Sequence, residues 1–97
     1  MEQIEKISEI YKVFSDPTRL KIIHLLLGRR HLCVNGITKH LDISQSAVSQ
    51  HLRILRQADL VHANKHYNFV HYSINRERLA EFNELVTNVL GENFLKN

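Results

Sequence analysis

The chain is poor in cysteine: Cys33 is the only one among 97 residues. An internal disulfide is therefore impossible, and a reducing compartment such as the cytoplasm is expected. No apolar stretch approaches the roughly 18 residues that a membrane span needs. The first ten residues, MEQIEKISEI, are acidic and amphipathic, which is not the pattern of a secretory signal peptide. We therefore expect a cytoplasmic protein without a membrane partner.

The sequence also lacks the patterns that enzymes use. It contains no glycine-rich phosphate loop, no G-x-S-x-G motif and no paired-carboxylate setting. Catalysis needs a nucleophile, a base and an orienting group that converge on one place. We therefore expect no enzymatic activity and no cofactor.

Acidic residues are scarce in the middle of the chain. Residues 17–75 hold eight lysines and arginines against two acids, a net charge of +6, whereas residues 1–16 carry −2 and residues 76–97 carry −1. All seven histidines also lie in the middle segment. This distribution is expected if the middle meets phosphate and the two ends meet each other.

The hydrophobic pattern predicts five helices and one β-hairpin in a single domain spanning residues 1–97. Apolar residues at steps of three and four mark the helices, and alternation after Leu60 marks the hairpin. Asp16, Ser44 and Asn75 are good N-cap residues. The expected order is helix 2–14, a helix from Pro17 to Gly28, a short helix near 35–41, a helix after Ser44, a hairpin with its tip at 65–68, and helix 76–90. The predicted fold class is thus mainly α with a β-hairpin wing, in the order α-α-α-α-β-β-α.

A short helix, a turn and a second helix with a polar outer face form a helix-turn-helix. The outer face of residues 45–53 carries glutamine, serine and arginine, and no acid occurs from Ser44 to Ala58. Such side chains can bond base edges and phosphates in the major groove of double-stranded DNA. The hairpin that follows would be a wing. The predicted DNA-binding residues are Ser44, Gln45, Ser46, Ser49, Gln50, Arg53, Lys65 and His66.

Four stretches in this order resemble the ArsR/SmtB family of bacterial winged-helix repressors: VFSDPTRLKIIHLLL, HLCVNGI, LDISQSAVSQHLRILRQADLV and VHYSIN. The resemblance covers residues 10–75. It implies a homodimer whose first and last helices pair across a two-fold axis, binding to an imperfect palindrome in a promoter, and release when a ligand alters the dimer.

Apolar side chains on the last predicted helix also favour a dimer. Leu85 and Leu90 lie beside its main apolar line, and a 97-residue chain has little core left for them to face. The alternative is that both simply face their own core. We expect dimerisation through the end helices, so that charged residues in place of Phe82 and Val86 should give monomers of poor stability.

At the places where relatives in this family bind metals, the chain departs from the pattern. Soft-metal sensors of the family typically read ELCVC where this chain reads HLCVN, so Asn35 replaces a second thiolate. Other members use an Asp-x-His pair where this chain reads Arg76-Glu77-Arg78, with Val89 at the position of the partner ligand. Arginine and valine cannot coordinate a cation. We therefore expect no metal site of either kind.

The role of Cys33 stays open between three interpretations. Its neighbours Leu32 and Val34 favour packing as a small hydrophobe. A redox-responsive or metal-responsive sensor that uses Cys33 is the alternative, because Arg29, Arg30 and His31 favour a thiolate. A winged helix that serves only protein contacts is a further alternative to the whole DNA-binding hypothesis.

The remaining histidines give weaker signals. If the hairpin turns at His66-Tyr67, His62 and His71 face each other across the strands and could begin a metal site. Two solvated side chains are the simpler interpretation. We expect His51 to be a hydrogen-bonded structural residue and His40 to lie on the surface.

Overall fold

The computed structural model describes residues 1–95, and within them five helices surround a three-stranded antiparallel sheet. The elements in chain order are α1 (Glu2–Phe14), α2 (Pro17–Gly28), β1 (Leu32–Cys33), α3 (Val34–Leu41), α4 (Gln45–Gln57), β2 (Val61–His66), β3 (Phe69–Ile74) and α5 (Arg76–Leu90). The predicted fold class is confirmed, with one strand added. Within the described part of the chain, no helix combines the length and the apolar character needed to cross a bilayer.

The predicted capping residues begin three of the helices. In each case the side-chain oxygen accepts the backbone N–H three residues later, and such a cap stabilises a helix by about 1 kcal/mol. The bonds run from Arg19 to Asp16 at 3.1 Å, from Ala47 to Ser44 at 3.2 Å, and from Arg78 to Asn75 at 3.1 Å.

The turn between α3 and α4 is tight because Asp42 adopts the left-handed conformation, with φ at 52°. Aspartate tolerates this region better than most residues. The N–H of Asp42 still bonds to the carbonyl of Thr38 at 2.9 Å. The chain therefore leaves α3 abruptly and enters α4 at Ser44, which gives the helix-turn-helix that the sequence predicts.

The main core lies between α2, α3, α4 and the inner face of the sheet. Its fully buried members include Ile22, Leu26, Ile37, Leu52 and Leu55. These side chains hold the inner face of α4 against the domain and leave its outer face to solvent.

A second cluster joins α1 to α5 within one protomer. Ile7 and Ile10 of α1 are buried against Phe82 and Val86 of α5, and the ring of Tyr11 meets Phe82 edge-on at a centroid distance of 5.4 Å. Phe82 and Val86 thus have a role inside the protomer, and the expectation that their replacement also disrupts a dimer stays a prediction. Each is less than a tenth exposed in the single protomer, so the core of the protomer already covers them.

The hairpin turns one residue later than the His66-Tyr67 turn considered above. His66 pairs with Phe69, so the two turn residues are Tyr67 and Asn68; Tyr67 takes a left-handed φ of 57°. His62 then lies opposite Ser73, and His71 lies opposite Asn64. The suggested cross-strand pair of His62 and His71 is therefore not formed.

Strand β1 adds an edge to this hairpin. Leu32 pairs with Tyr72 and Cys33 pairs with His71, so β3 is the central strand. The sequence HLC therefore belongs to the sheet, and α3 begins directly after it at Val34.

Candidate nucleic-acid interface

The outer face of α4 presents the predicted polar side chains together. Gln45, Ser46, Ser49, Gln50 and Arg53 are all exposed. The four from Ser46 onward line one shallow depression of about 500 Å³. Amide, hydroxyl and guanidinium groups are thus arranged along two turns of helix with no carboxylate among them, which suits hydrogen bonding to base edges and phosphates.

Ser44 has a different local task from its neighbours. Its hydroxyl oxygen caps α4 and lies 3.4 Å from the hydroxyl oxygen of Ser46. Because the cap uses a lone pair of this oxygen, the hydroxyl proton stays available to an outside acceptor. Ser44 is exposed, so it can serve both the helix and a bound phosphate.

A cluster of side chains at the α1–α2 turn holds α4 in place through His51. Nδ1 of His51 lies 3.5 Å from Oδ2 of Asp16 and 3.4 Å from Nη1 of Arg19. Arg19 also donates its Nε–H to the carbonyl of Val13 at 2.8 Å. His51 therefore has the structural role that we expected, and it couples the orientation of α4 to the preceding helices. His40 is exposed, also as expected, and its Nδ1 lies 2.8 Å from the Gly36 carbonyl.

The wing residues Lys65 and His66 are exposed at the end of β2, and they do not line the depression on α4. Around them the tip carries apolar side chains in solvent: Tyr67 is 85% exposed and Phe69 is 60% exposed. The predicted DNA-binding residues thus form two separate groups, one on α4 and one on the wing.

The wing group has further members that sequence reasoning missed. Lys65 and His66 share a cleft with Arg30, His31 and His71. The RRH run at 29–31 was a usable signal for a basic surface. Its proximity to the wing follows only from β1, which the hydrophobic pattern did not reveal.

The positions that bind metals in some relatives do not suit a cation here. Arg76 donates to the Leu27 carbonyl at 3.3 Å, and Arg78 donates to the Ala58 carbonyl at 3.4 Å and lies 3.7 Å from Glu81. Both arginines thus tie helix ends together. Within residues 1–95, no three histidine, cysteine or acidic side chains come close enough together to hold a metal ion.

Cys33 does not pack into the main core as its apolar neighbours suggested. Leu32 and Val34 both pack against that core, whereas Cys33 is half-buried outside it, directly opposite His71 in the sheet. Alternation along β1 explains this, since successive side chains of a strand point to opposite faces. His71, the partner of Cys33 across the sheet, lines the basic cleft of the wing.

Comparison with known proteins agrees with this architecture. The model of the family described as "Bacterial regulatory protein, arsR family" matches residues 16–63. An uncharacterized HTH-type transcriptional regulator of Methanocaldococcus jannaschii is 42% identical over 86 residues, which cover 89% of this chain and 97% of the relative. The chain belongs to the ArsR family.

Other known proteins are similar to this chain over most of its length. The transcriptional repressor SdpR of Bacillus subtilis is 36% identical over 74 residues, covering 76% of this chain and 81% of the repressor. The solved structure of reduced HlyU from Vibrio cholerae is 32% identical, with a TM-score of 0.73 and coverage of 91% and 92% of the two chains. As a member of the ArsR family, this protein is a winged-helix DNA-binding transcriptional regulator and not an enzyme.

Proposed function

We propose that this protein is a homodimeric, cytoplasmic repressor that binds an inverted-repeat operator, with α4 in the major groove and the wing on the phosphate backbone. The observation that carries the proposal is the outer face of α4, where exposed hydrogen-bonding side chains form one continuous patch without an acid. A solvated helix face usually mixes acids with bases, and such a mixture would repel phosphate.

Each side chain in this patch has a defined chemical task. Glutamine can bond an adenine edge through two atoms, and arginine can do the same to guanine. Gln50 and Arg53 are therefore the residues that we expect to read sequence. Ser44, Ser46 and Ser49 are short and can bond phosphate oxygens, which positions the helix without selecting a base.

The proposed dimer uses the side of α5 that the protomer leaves partly exposed. Leu85, Val89 and Leu90 are half-buried at the edge of the cluster between α1 and α5. Phe94 and Leu95 follow α5 with 46% and 77% of their surface exposed. Exposed apolar side chains this close together in sequence favour a subunit interface here. A two-fold axis there would give two copies of α4, as an inverted repeat requires.

Selection from a random duplex library, followed by footprinting, tests this function. We expect two inverted half-sites whose centres lie about one helical turn apart, protected by two protomers. A variant with Gln50→Ala and Arg53→Ala should lose this selectivity. Gln57→Ala is the matched control, because Gln57 lies on the same helix but lines a different depression, which α1 shares.

Two results would contradict the proposal. One is a double variant that selects the same sequences as the parent with equal affinity. The other is protection of a single, unrepeated half-site by one protomer.

A further inference from the structure

The outer face of the sheet gathers histidines around the central strand. Cys33, His71 and Asn64 form one row across the three strands. The ring of His31 stacks on His71 with centroids 4.7 Å apart and planes at 11°, and the ring of His66 lies 6.1 Å from His71. Imidazole rings thus flank His71 on two sides.

These rings line a cleft of about 590 Å³ between the turn before β1 and the wing. Arg30 and Lys65 add two permanent positive charges to its wall, and no carboxylate lines it. Within residues 1–95, none of the lining side chains has an ion-pair partner or a side-chain hydrogen bond. The cleft therefore offers several donors that the protein itself leaves unused.

A wall of this composition selects for a multiply charged anion. Arg30 can give two parallel bonds to a tetrahedral oxyanion, and Lys65 adds a point charge. Two stacked imidazoles repel each other when both are protonated, and a bound anion offsets that repulsion. We propose that this cleft is a phosphate-binding site, occupied either by a backbone phosphate of DNA beside the wing or by the phosphate of a small molecule. The DNA alternative rests on the function proposed above.

The groups that surround His71 are His31 and Cys33 from the β1 side, His66 and Lys65 from β2, and Arg30 from the turn. None of them is a carboxylate, so among the described residues no carboxylate lines the cleft to repel an anion.

Titration of the free protein with pyrophosphate, followed by NMR of the histidine ring signals, tests the site without DNA. We expect saturable shifts of His31, His66 and His71. The double variant Arg30→Gln, His71→Gln should bind at least about tenfold more weakly, because it removes two charge-assisted bonds. The control variant Lys21→Gln, His24→Gln also replaces one basic residue and one histidine, both exposed on α2, and should bind as the parent does.

Circular dichroism checks that each variant is folded. If the double variant does not fold, Lys65→Gln, at the exposed wing, replaces it in the binding measurement. Absence of saturable binding to the parent, or equal binding by the parent and the double variant, would overturn the proposal.

A second measurement identifies the source of the phosphate. If the cleft holds a DNA phosphate, the double variant loses DNA affinity and its binding depends less steeply on salt. If it holds a small molecule, the double variant keeps its DNA affinity while pyrophosphate binding is lost. A parent that binds pyrophosphate but no DNA would refute the function proposed above and leave the phosphate site standing.

Discussion

Replacement of Asp16 by alanine should destabilise the protein and loosen α4, because one carboxylate serves two helices. Oδ2 of Asp16 caps α2 through the Arg19 N–H and also lies 3.5 Å from Nδ1 of His51 on α4. It is 3.9 Å from the guanidinium of Arg19. The three side chains are 30%, 22% and 16% exposed for Asp16, His51 and Arg19, so solvent screens these contacts only in part.

The expected decrease in the free energy of unfolding is the sum of three contributions. Removal of the cap costs about 1 kcal/mol, and the two partly buried contacts add roughly 0.5 kcal/mol each. Asp16→Ala should therefore lower the free energy of unfolding by about 2 kcal/mol, or Tm by roughly 10 °C for a domain of this size. Asp16→Asn should lose about half as much, since asparagine caps a helix as well as aspartate does.

Urea unfolding followed by circular dichroism, at one fixed protein concentration, measures these differences. Ser44→Ala is the reference, because it removes a cap whose side chain is exposed and, among the described residues, forms hydrogen bonds only with α4. The carboxylate acts as a cap alone if Asp16→Ala lowers the free energy of unfolding no more than Ser44→Ala does. The same conclusion follows if Asp16→Asn is as stable as the parent. The proposed fastening of α4 through His51 would then be wrong.

Three further outcomes are expected. Leu85→Glu should shift sedimentation from dimer to monomer. Ala80→Glu, exposed on the same helix, should not. If Leu85→Glu still sediments as a dimer, the interface does not include Leu85. Cys33→Ser should bind DNA as the parent does, with and without peroxide or thiophilic ions. The reason is that one thiolate cannot form a multi-thiolate site or an internal disulfide. If one of these agents releases the parent from DNA but not Cys33→Ser, Cys33 is a sensor. Lys65→Ala should weaken binding to all duplexes alike and reduce the salt slope by about one, whereas a sequence-dependent loss would make Lys65 a base reader.

Local signals predicted most of the helices correctly because three of the five helix starts are marked by a capping residue within a few residues. Asp16, Ser44 and Asn75 each accept a backbone N–H three residues later, as residues of their type do at helix N-caps. The polar face of α4 could also be predicted from the sequence, because helical periodicity alone separates its exposed side chains from its buried ones.

Most of what the sequence left unpredicted involves long-range contacts. Strand β1 has two residues, Leu32 and Cys33, and is too short to show alternation. Phe82 and Val86 form an apolar stripe whose pattern is the same whether it faces α1 of its own protomer or a second subunit. The basic cleft lies between the turn at 29–31 and the wing, which follows about 35 residues later. No local sequence pattern could therefore predict it.

The hairpin register depended on a single residue. Tyr67 adopts a left-handed φ, which a bulky aromatic residue rarely does, and this placed the turn at Tyr67-Asn68. A one-residue shift of a turn moves every cross-strand pair, so the predicted pairing of His62 with His71 was lost although both lie in the strands as expected.

The most direct test of base reading by α4 is a comparison of parent and Gln50→Ala on the selected operator and on operators with each base pair changed in turn. We expect Gln50→Ala to lose about 1–3 kcal/mol of discrimination at one base pair, at the symmetry-related position of both half-sites. Discrimination at the other base pairs should stay as in the parent. If Gln50→Ala instead leaves the whole discrimination profile unchanged, or weakens binding to all operators equally, then α4 does not read sequence through this residue.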